Sequence, residues 1–136
     1  MTGGSSGIGR AISLALAQDG AAVTINYHQN EAAAEDTLQQ VVRANGKAQL
    51  VQGDVSHVED IQRLIERTVQ SFGRLDVMVN NAGIETRTSV LDTSEQQFEQ
   101  VINVNLKGAF FGTKYAAKQM IAEAQGWPDH QHLLHT

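Results

Sequence analysis

Residues 2–10 read TGGSSGIGR, with Gly3, Gly7 and Gly9 running directly into an apolar-periodic stretch. The first backbone N–H groups of a helix have no internal partner, and the helix dipole places partial positive charge there. A pyrophosphate can dock at such an end if no Cβ blocks its approach. Gly3, Gly7 and Gly9 remove those Cβ atoms, so the chemistry on offer is the cradling of an anion. A bland Gly/Ser turn before a helix gives a similar string, so the weight of this stretch depends on what converges on it.

Two other groupings invite chemistry and have plainer readings. His130, His132 and His135 could supply imidazole to zinc, but three histidines in a polar tail with no groups evident to orient their rings do not make a site, and no metal is expected. Asp92, Glu95 and Glu99 form an acidic patch that caps and solvates a helix.

The elements that must position the glycines alternate between helix and strand. Ile8, Ile12, Ala15 and Leu16 recur at helical spacing and stop at Gly20; Ala21 to Tyr27 is a β-branched strand. Asn30 can cap a helix with Ala34, Leu38, Val41 and Val42 on its buried face, closed by Gly46. Ala48 to Gln52 reads as a strand. Ser56 and Glu59 then form a capping box for a helix bearing Ile61, Leu64, Ile65, Val69 and Phe72, closed by Gly73. Leu75 to Asn80 reads as another strand, and Ser94 with Gln97 caps a long helical stretch reaching about Ile121. Strands alternating with helices through short turns imply βαβ crossovers and a doubly wound α/β fold. In such sheets ligands bind beyond the carboxyl ends of the strands, where the glycine loop, Asn26 to His28, Asp54-Val55 and Asn81 to Gly83 would gather.

With 136 residues and 41% hydrophobic content the chain suits one modest domain. A net charge of −5 and a pI near 5.4 disfavour nucleic acid and anionic membrane as partners. The absence of cysteine excludes disulfides and thiolate metal sites. No apolar run approaches membrane-spanning length and no leader precedes Thr2, so a cytoplasmic protein is expected.

TGGSSGIGR, GDV at 53–55, NNAG at 80–83 and NVNLKGAF at 103–110 together resemble the classical short-chain dehydrogenases/reductases. The wording DVMVNNAGIE at 76–85 is similar to that of bacterial glucose 1-dehydrogenases. The resemblance covers residues 2 to about 122 and implies a Rossmann-type doubly wound parallel sheet that transfers hydride between NAD(P) and a secondary alcohol or sugar such as glucose. It assigns Gly3, Ser5, Gly7, Ile8 and Gly9 to the pyrophosphate and nearby ribose. Asp54 and Val55 meet the adenine, and Asn81, Ala82 and Gly83 line the nicotinamide-side ribose. Asn105 matches the family's catalytic asparagine, which orders a water in the proton relay; its plainer role, a hydrogen bond from a helix kink to backbone, can coexist with that one. Full-length members of such a family are expected to be homo-oligomers.

Cofactor choice turns on Asn26, Tyr27 and His28. A carboxylate at that turn would accept the ribose 2′-OH of NAD and repel the 2′-phosphate of NADP. None is present and Arg10 lies nearby in sequence, so the reading leans to NADP or dual use, although a clear arginine fork is missing.

The departures from the pattern are as informative. The first strand, the catalytic serine and the Tyr-x-x-x-Lys segment have no counterpart; Tyr115 and Lys118 have the wrong spacing and read as helix surface. In the family's 3-2-1-4-5 order the missing first strand is central, so its loss should separate the second strand from the fourth. Met1 stands where a valine is usual, as if a GTG codon were read as a start. Removing one base from a reverse translation of the tail GWPDHQHLLHT reads GGRIINISSI, the family's fifth strand with its serine, so residues 123–136 are expected to be a frameshifted tail on a partial nucleotide-binding domain. The chain alone is then expected to be catalytically incomplete, an inactive remnant or a nucleotide-binding module.

Overall fold

The computed structural model describes residues 1–126. Its elements are α1 (Gly7–Gln18), β1 (Ala22–Tyr27), α2 (Glu31–Arg43), β2 (Lys47–Gln52), α3 (Val58–Phe72), α4 (Glu95–Ile102), a π-helical segment Asn103–Lys107, and α5 (Gly108–Ala124). β1 and β2 pair in parallel, from Ala22 opposite Lys47 to Tyr27 opposite Gln52, with α2 as the crossover.

Local chemistry explains most element ends. Asn30 Oδ1 accepts the Ala33 N–H at 3.0 Å at the start of α2. Ser94 and Gln97 form the full reciprocal box at the start of α4. Gly20 and Gly73 take the left-handed conformation after α1 and α3, at φ 94° and 86°.

Two expected ends differ. The Ser56–Glu59 box does not form: α3 begins one turn position later with His57 as its N-cap, because the Ser56 hydroxyl donates to Asp54 Oδ1 at 2.7 Å instead. The left-handed residue after α2 is Asn45 (φ 62°), not Gly46, whose missing Cβ leaves room for Val41.

The helix faces are also rotated from the expected ones. α1 buries Gly9, Ser13 and Ala17 and leaves Ile8 74% exposed; α2 buries Ala34, Thr37 and Val41 and leaves Val42 exposed. Small residues let α1 sit close to α2 and β1, and that close approach, not the size of the apolar groups, decides which face turns inward.

β1 divides the interior into two layers by strand alternation. Val23 and Ile25 join Met1, Ala17 and Val41 on the side of α1 and α2. Thr24, on the other side, accepts the Thr68 hydroxyl of α3 at 2.8 Å. A second cluster of Val55, Ile61, Ile65, Leu75, Tyr115 and Ala116 lies between α3 and α5. Helices on both faces of the parallel sheet, two-stranded among the described residues, make a doubly wound arrangement. Tyr115 is therefore core rather than helix surface: it is 9% exposed and stacks on Phe111 at 6.4 Å between ring centroids.

Leu75 to Asn80 forms no strand ladder, because nothing along most of its length offers hydrogen bonds. It is nonetheless not separated from β1. Met1 donates its terminal N–H to Thr24 C=O at 3.0 Å, and its own C=O accepts Asn26 N–H at 3.0 Å. On the other side Thr2 N–H donates to Val79 C=O at 3.0 Å. Met1 and Thr2 thus bridge the carboxyl ends of the two runs, which is the end where the site forms. Among the described residues no helix is long and apolar enough to cross a membrane. Residues 127–136, with His130, His132, His135 and the frameshift reading, lie outside the described residues.

Candidate functional site

The carboxyl ends of β1, β2 and the 75–80 run open on a crevice of about 440 Å³, lined by Gly3, Ser5, Ser6, Ile8, Gly9, Asn26, His28, Gln29, Asn30, Gly53, Asp54, Val55, Asn81, Ala82, Gly83, Ile84 and Val104. All four loops expected to converge do so.

Its floor is the N-terminus of α1. Ser6, the N-cap, makes no side-chain capping bond, and the first turn of α1 carries no acid. α2, α3 and α4 are instead neutralised at their N-termini, α2 by Asn30 and Glu31, α3 by Glu59 and Asp60, α4 by its box and Glu95, while α5 continues directly from the π-helical segment. α1 thus presents free N–H groups and an uncompensated positive end to the crevice, where an anion is stabilised.

The glycines have separate reasons. At Gly9 a Cβ would overlap the Gly3 carbonyl oxygen and sit 2.6 Å from Asn81 Nδ2, and at Gly3 a Cβ would lie 2.8 Å from Ala82 Cα. Both are required by the close packing of the loops. Gly7 has φ 53° with open space around the Cβ position, so its requirement is conformational. Gly7 and Tyr27 do not line the crevice. His28 of the expected cofactor-choice turn does, and so do Ser6, Gln29, Asn30, Gly53, Ile84 and Val104, which sequence reasoning did not select as site residues. Ile8, which the resemblance assigns to this loop, lines the crevice and is 74% exposed.

Asn26 is 3% exposed. Its Nδ2 donates to Val51 C=O (3.2 Å) and Gly53 C=O (3.1 Å), and its Oδ1 accepts Gly3 N–H at 3.4 Å, so it ties the glycine loop to the exit of β2 from beneath. Asn81 Nδ2 donates to Gly3 C=O at 3.0 Å and fixes the same loop from the other side.

Arg10 is committed elsewhere. Its Nε donates to Thr37 Oγ1 at 2.8 Å, one terminal nitrogen donates to Ser5 C=O and Ala33 C=O at 3.1 Å each, and the other pairs with Asp36 at 3.2 Å. It joins α1 to α2. At the end of β1 the crevice meets His28, Gln29 and Asn30, with no carboxylate among them.

Asp54 sits deeper, between His28 and His57, each with Nε2 3.6 Å from Oδ2. Burial opposes its ionisation. Donation from the Ser56 hydroxyl and backbone N–H and the two nearby imidazoles outweigh burial and hold the carboxyl below its ordinary range.

Asn105 lies in the π-helical segment, a local widening that often marks functional positions. Its Oδ1 accepts Ile84 N–H and its Nδ2 donates to Ile84 C=O, both at 2.8 Å. The oxygen and the nitrogen of its side-chain amide thus clamp the Ile84 backbone.

A family model for short chain dehydrogenase matches residues 1–127. An uncharacterised oxidoreductase of Methylorubrum extorquens is 42% identical over 120 residues, covering 88% of this chain and 48% of the relative. A 3-oxoacyl-[acyl-carrier-protein] reductase of Synechocystis is 39% identical over 126 residues, covering 93% of this chain and 51% of the relative. Among solved structures, a short chain dehydrogenase from Burkholderia cenocepacia in complex with NADP superposes with a TM-score of 0.83 at 33% identity, covering 87% of this chain and 48% of that one. The chain therefore spans about half the length of the curated relatives it matches. On the motifs, the fold and these matches, the chain belongs to the short-chain dehydrogenase family.

Proposed function

We propose that this chain forms the dinucleotide-binding part of an NAD(P)-dependent oxidoreductase that transfers hydride to or from a secondary alcohol or a sugar such as glucose. The observation that carries this reading is the uncapped, acid-free N-terminus of α1 opening on the crevice. Gly3, Ser5, Gly7, Ile8 and Gly9 would hold the pyrophosphate and adjoining ribose, Asp54 and Val55 the adenine, and Asn81, Ala82 and Gly83 the second ribose. Asn26 and Tyr27 belong to the strand end that sets cofactor choice: Asn26 acts from below the crevice and Tyr27 stands behind it. The nicotinamide, when bound, supplies the hydride chemistry.

Arg10 gives little support to NADP, since its guanidinium is held by Thr37, Ser5, Ala33 and Asp36. The absence of a carboxylate at His28-Gln29-Asn30 does support it, because nothing there repels a 2′-phosphate. The reading is NADP or dual use, and the NADP complex of the Burkholderia homologue agrees with it. The name of the Synechocystis relative widens the substrate class to a ketone carried on acyl carrier protein; the shared chemistry is interconversion of a carbonyl and a secondary alcohol. Phe98, Ile102, Leu106 and Phe110 repeat every four residues as an exposed stripe along α4 and α5, which supports homo-oligomeric assembly of the full-length protein.

Within the 136 residues the chain acts as a binding module. Neither of its tyrosines is placed to exchange a proton in the crevice: Tyr115 is in the core and Tyr27 does not line it. Calorimetric titration tests the proposal. NADP and NAD should both bind, and His28→Asp should weaken NADP at least tenfold while sparing NAD. Absence of binding by either nucleotide to a chain with intact circular dichroism would overturn it.

A further inference from the structure

Thr37 lies within α2 and is fully buried. A threonine inside a helix can satisfy its hydroxyl at the carbonyl four residues back, and Thr37 Oγ1 does lie 3.1 Å from Ala33 C=O. It also reaches out of its helix. The hydroxyl lies 2.9 Å from Ser5 C=O in the glycine loop and accepts Arg10 Nε at 2.8 Å. The same Ser5 carbonyl accepts a terminal nitrogen of Arg10 at 3.1 Å. Arg10 is fixed in turn by Ala33 C=O and by Asp36. Ser5 C=O accepts no backbone N–H, so among the described residues these two side chains are its partners.

The direction of that carbonyl decides what the crevice meets. In a trans peptide the C=O and N–H groups point to opposite sides, and no peptide bond among the described residues is cis. With Ser5 C=O drawn toward α2, the Ser6 N–H of the same peptide points away from α2, on the side where Ser5, Ser6 and Ile8 line the crevice. Among the described residues that N–H has no partner. Turned the other way, the peptide would set its carbonyl, the negative end of its dipole, against an anion at the start of α1. The loop does little to prevent this by itself, because Ser6 is exposed and its side chain makes no capping bond.

We propose that Thr37 and Arg10 are positioning residues for nucleotide binding, which together hold the Ser5–Ser6 peptide with its N–H toward the pyrophosphate of a dinucleotide. This rests on the dinucleotide reading of the crevice. Arg10 then acts through geometry instead of through its charge on a phosphate. α2, none of whose residues lines the crevice, acquires a part in the anion site.

The test is an NMR titration of the 136-residue chain with two probes: ADP-ribose, which carries the pyrophosphate, and 2′-AMP, which carries the adenine end without it. Thr37→Val keeps the shape and removes the hydroxyl, so it should weaken ADP-ribose about tenfold and leave 2′-AMP within about twofold. ADP-ribose should shift the Ser6 amide resonance downfield in the unaltered chain and not in Thr37→Val. Thr37→Ser should restore both the affinity and the shift. Arg10→Lys keeps the charge and loses the fork; it should also weaken ADP-ribose severalfold, and it carries the test if Thr37→Val does not fold. The proposal is overturned if either variant binds ADP-ribose as the unaltered chain does, or if ADP-ribose and 2′-AMP weaken alike. Failure of the unaltered chain to bind ADP-ribose, NAD or NADP would instead overturn the dinucleotide reading, and this inference with it.

Discussion

The Thr2 hydroxyl accepts the backbone N–H of Ala82 at 3.0 Å. The same oxygen accepts Asn81 N–H at 3.0 Å and donates to Val79 C=O at 3.3 Å, so one side chain, itself 3% exposed, joins the glycine loop to the Asn81–Gly83 loop. Thr2→Val preserves shape and removes the acceptor, leaving two poorly accessible N–H groups unsatisfied. The expected cost is about 2–4 kcal/mol of unfolding free energy, measured by urea denaturation, together with weaker nucleotide binding as the two walls of the crevice lose register.

Gly7 and Gly9 should respond differently. Gly9→Val forces a side chain into the Gly3 carbonyl and Asn81, so it should abolish nucleotide binding and lower the melting temperature. Gly7→Ala meets no atom within 4 Å but holds a left-handed φ of 53°. Its expected cost is about 1 kcal/mol, with calorimetry showing residual binding.

Asn105 acts as a positioning residue toward Ile84. Asn105→Ala should free the Gly83–Ile84 backbone, read as faster amide exchange at Ile84. Asn105→Asp keeps the acceptor and loses the donor, so Ile84 N–H should remain protected. In a full-length relative carrying the complete machinery, Asn105→Ala should lower turnover more than cofactor affinity.

Stability should rise with pH. Burial pushes the Met1 ammonium from 8.0 down to about 6, so between these values the unfolded chain binds more protons than the folded one. The folded state should therefore gain roughly 2–3 kcal/mol as pH rises from 6 to 8, and lose it again as pH falls. Selective N-terminal acetylation should remove this part of the slope in denaturation series. Asp54, whose carboxyl is held below its ordinary range, stabilises the fold above that range. That contribution should fade in acid and be removed by Asp54→Asn.

Much of the architecture follows from local rules that a sequence displays. Asn30, the Ser94–Gln97 pair, Gly20 and Gly73 end their helices through contacts within a few residues, so pattern and chemistry coincide. The Ser56–Glu59 box fails because Asp54, only two residues away, offers a stronger acceptor in a loop whose shape depends on Asp60 receiving the Asp54 N–H. Such competition is invisible to a spacing rule.

By itself the sequence determined the alternation of helices and parallel strands, the family, and the gathering of the glycine loop, Asp54 and Asn81–Gly83 at one end of the sheet, because these rest on periodicity and on chain direction. Only the tertiary structure decided what individual side chains do there. Arg10 is drawn into α2 by Thr37 and Asp36 instead of facing a phosphate, Tyr115 turns into the core instead of solvent, and of the expected turn Asn26-Tyr27-His28 only Tyr27 stays out of the crevice. Each outcome depends on which long-range partner reaches a group first, and a one-dimensional pattern does not carry those distances.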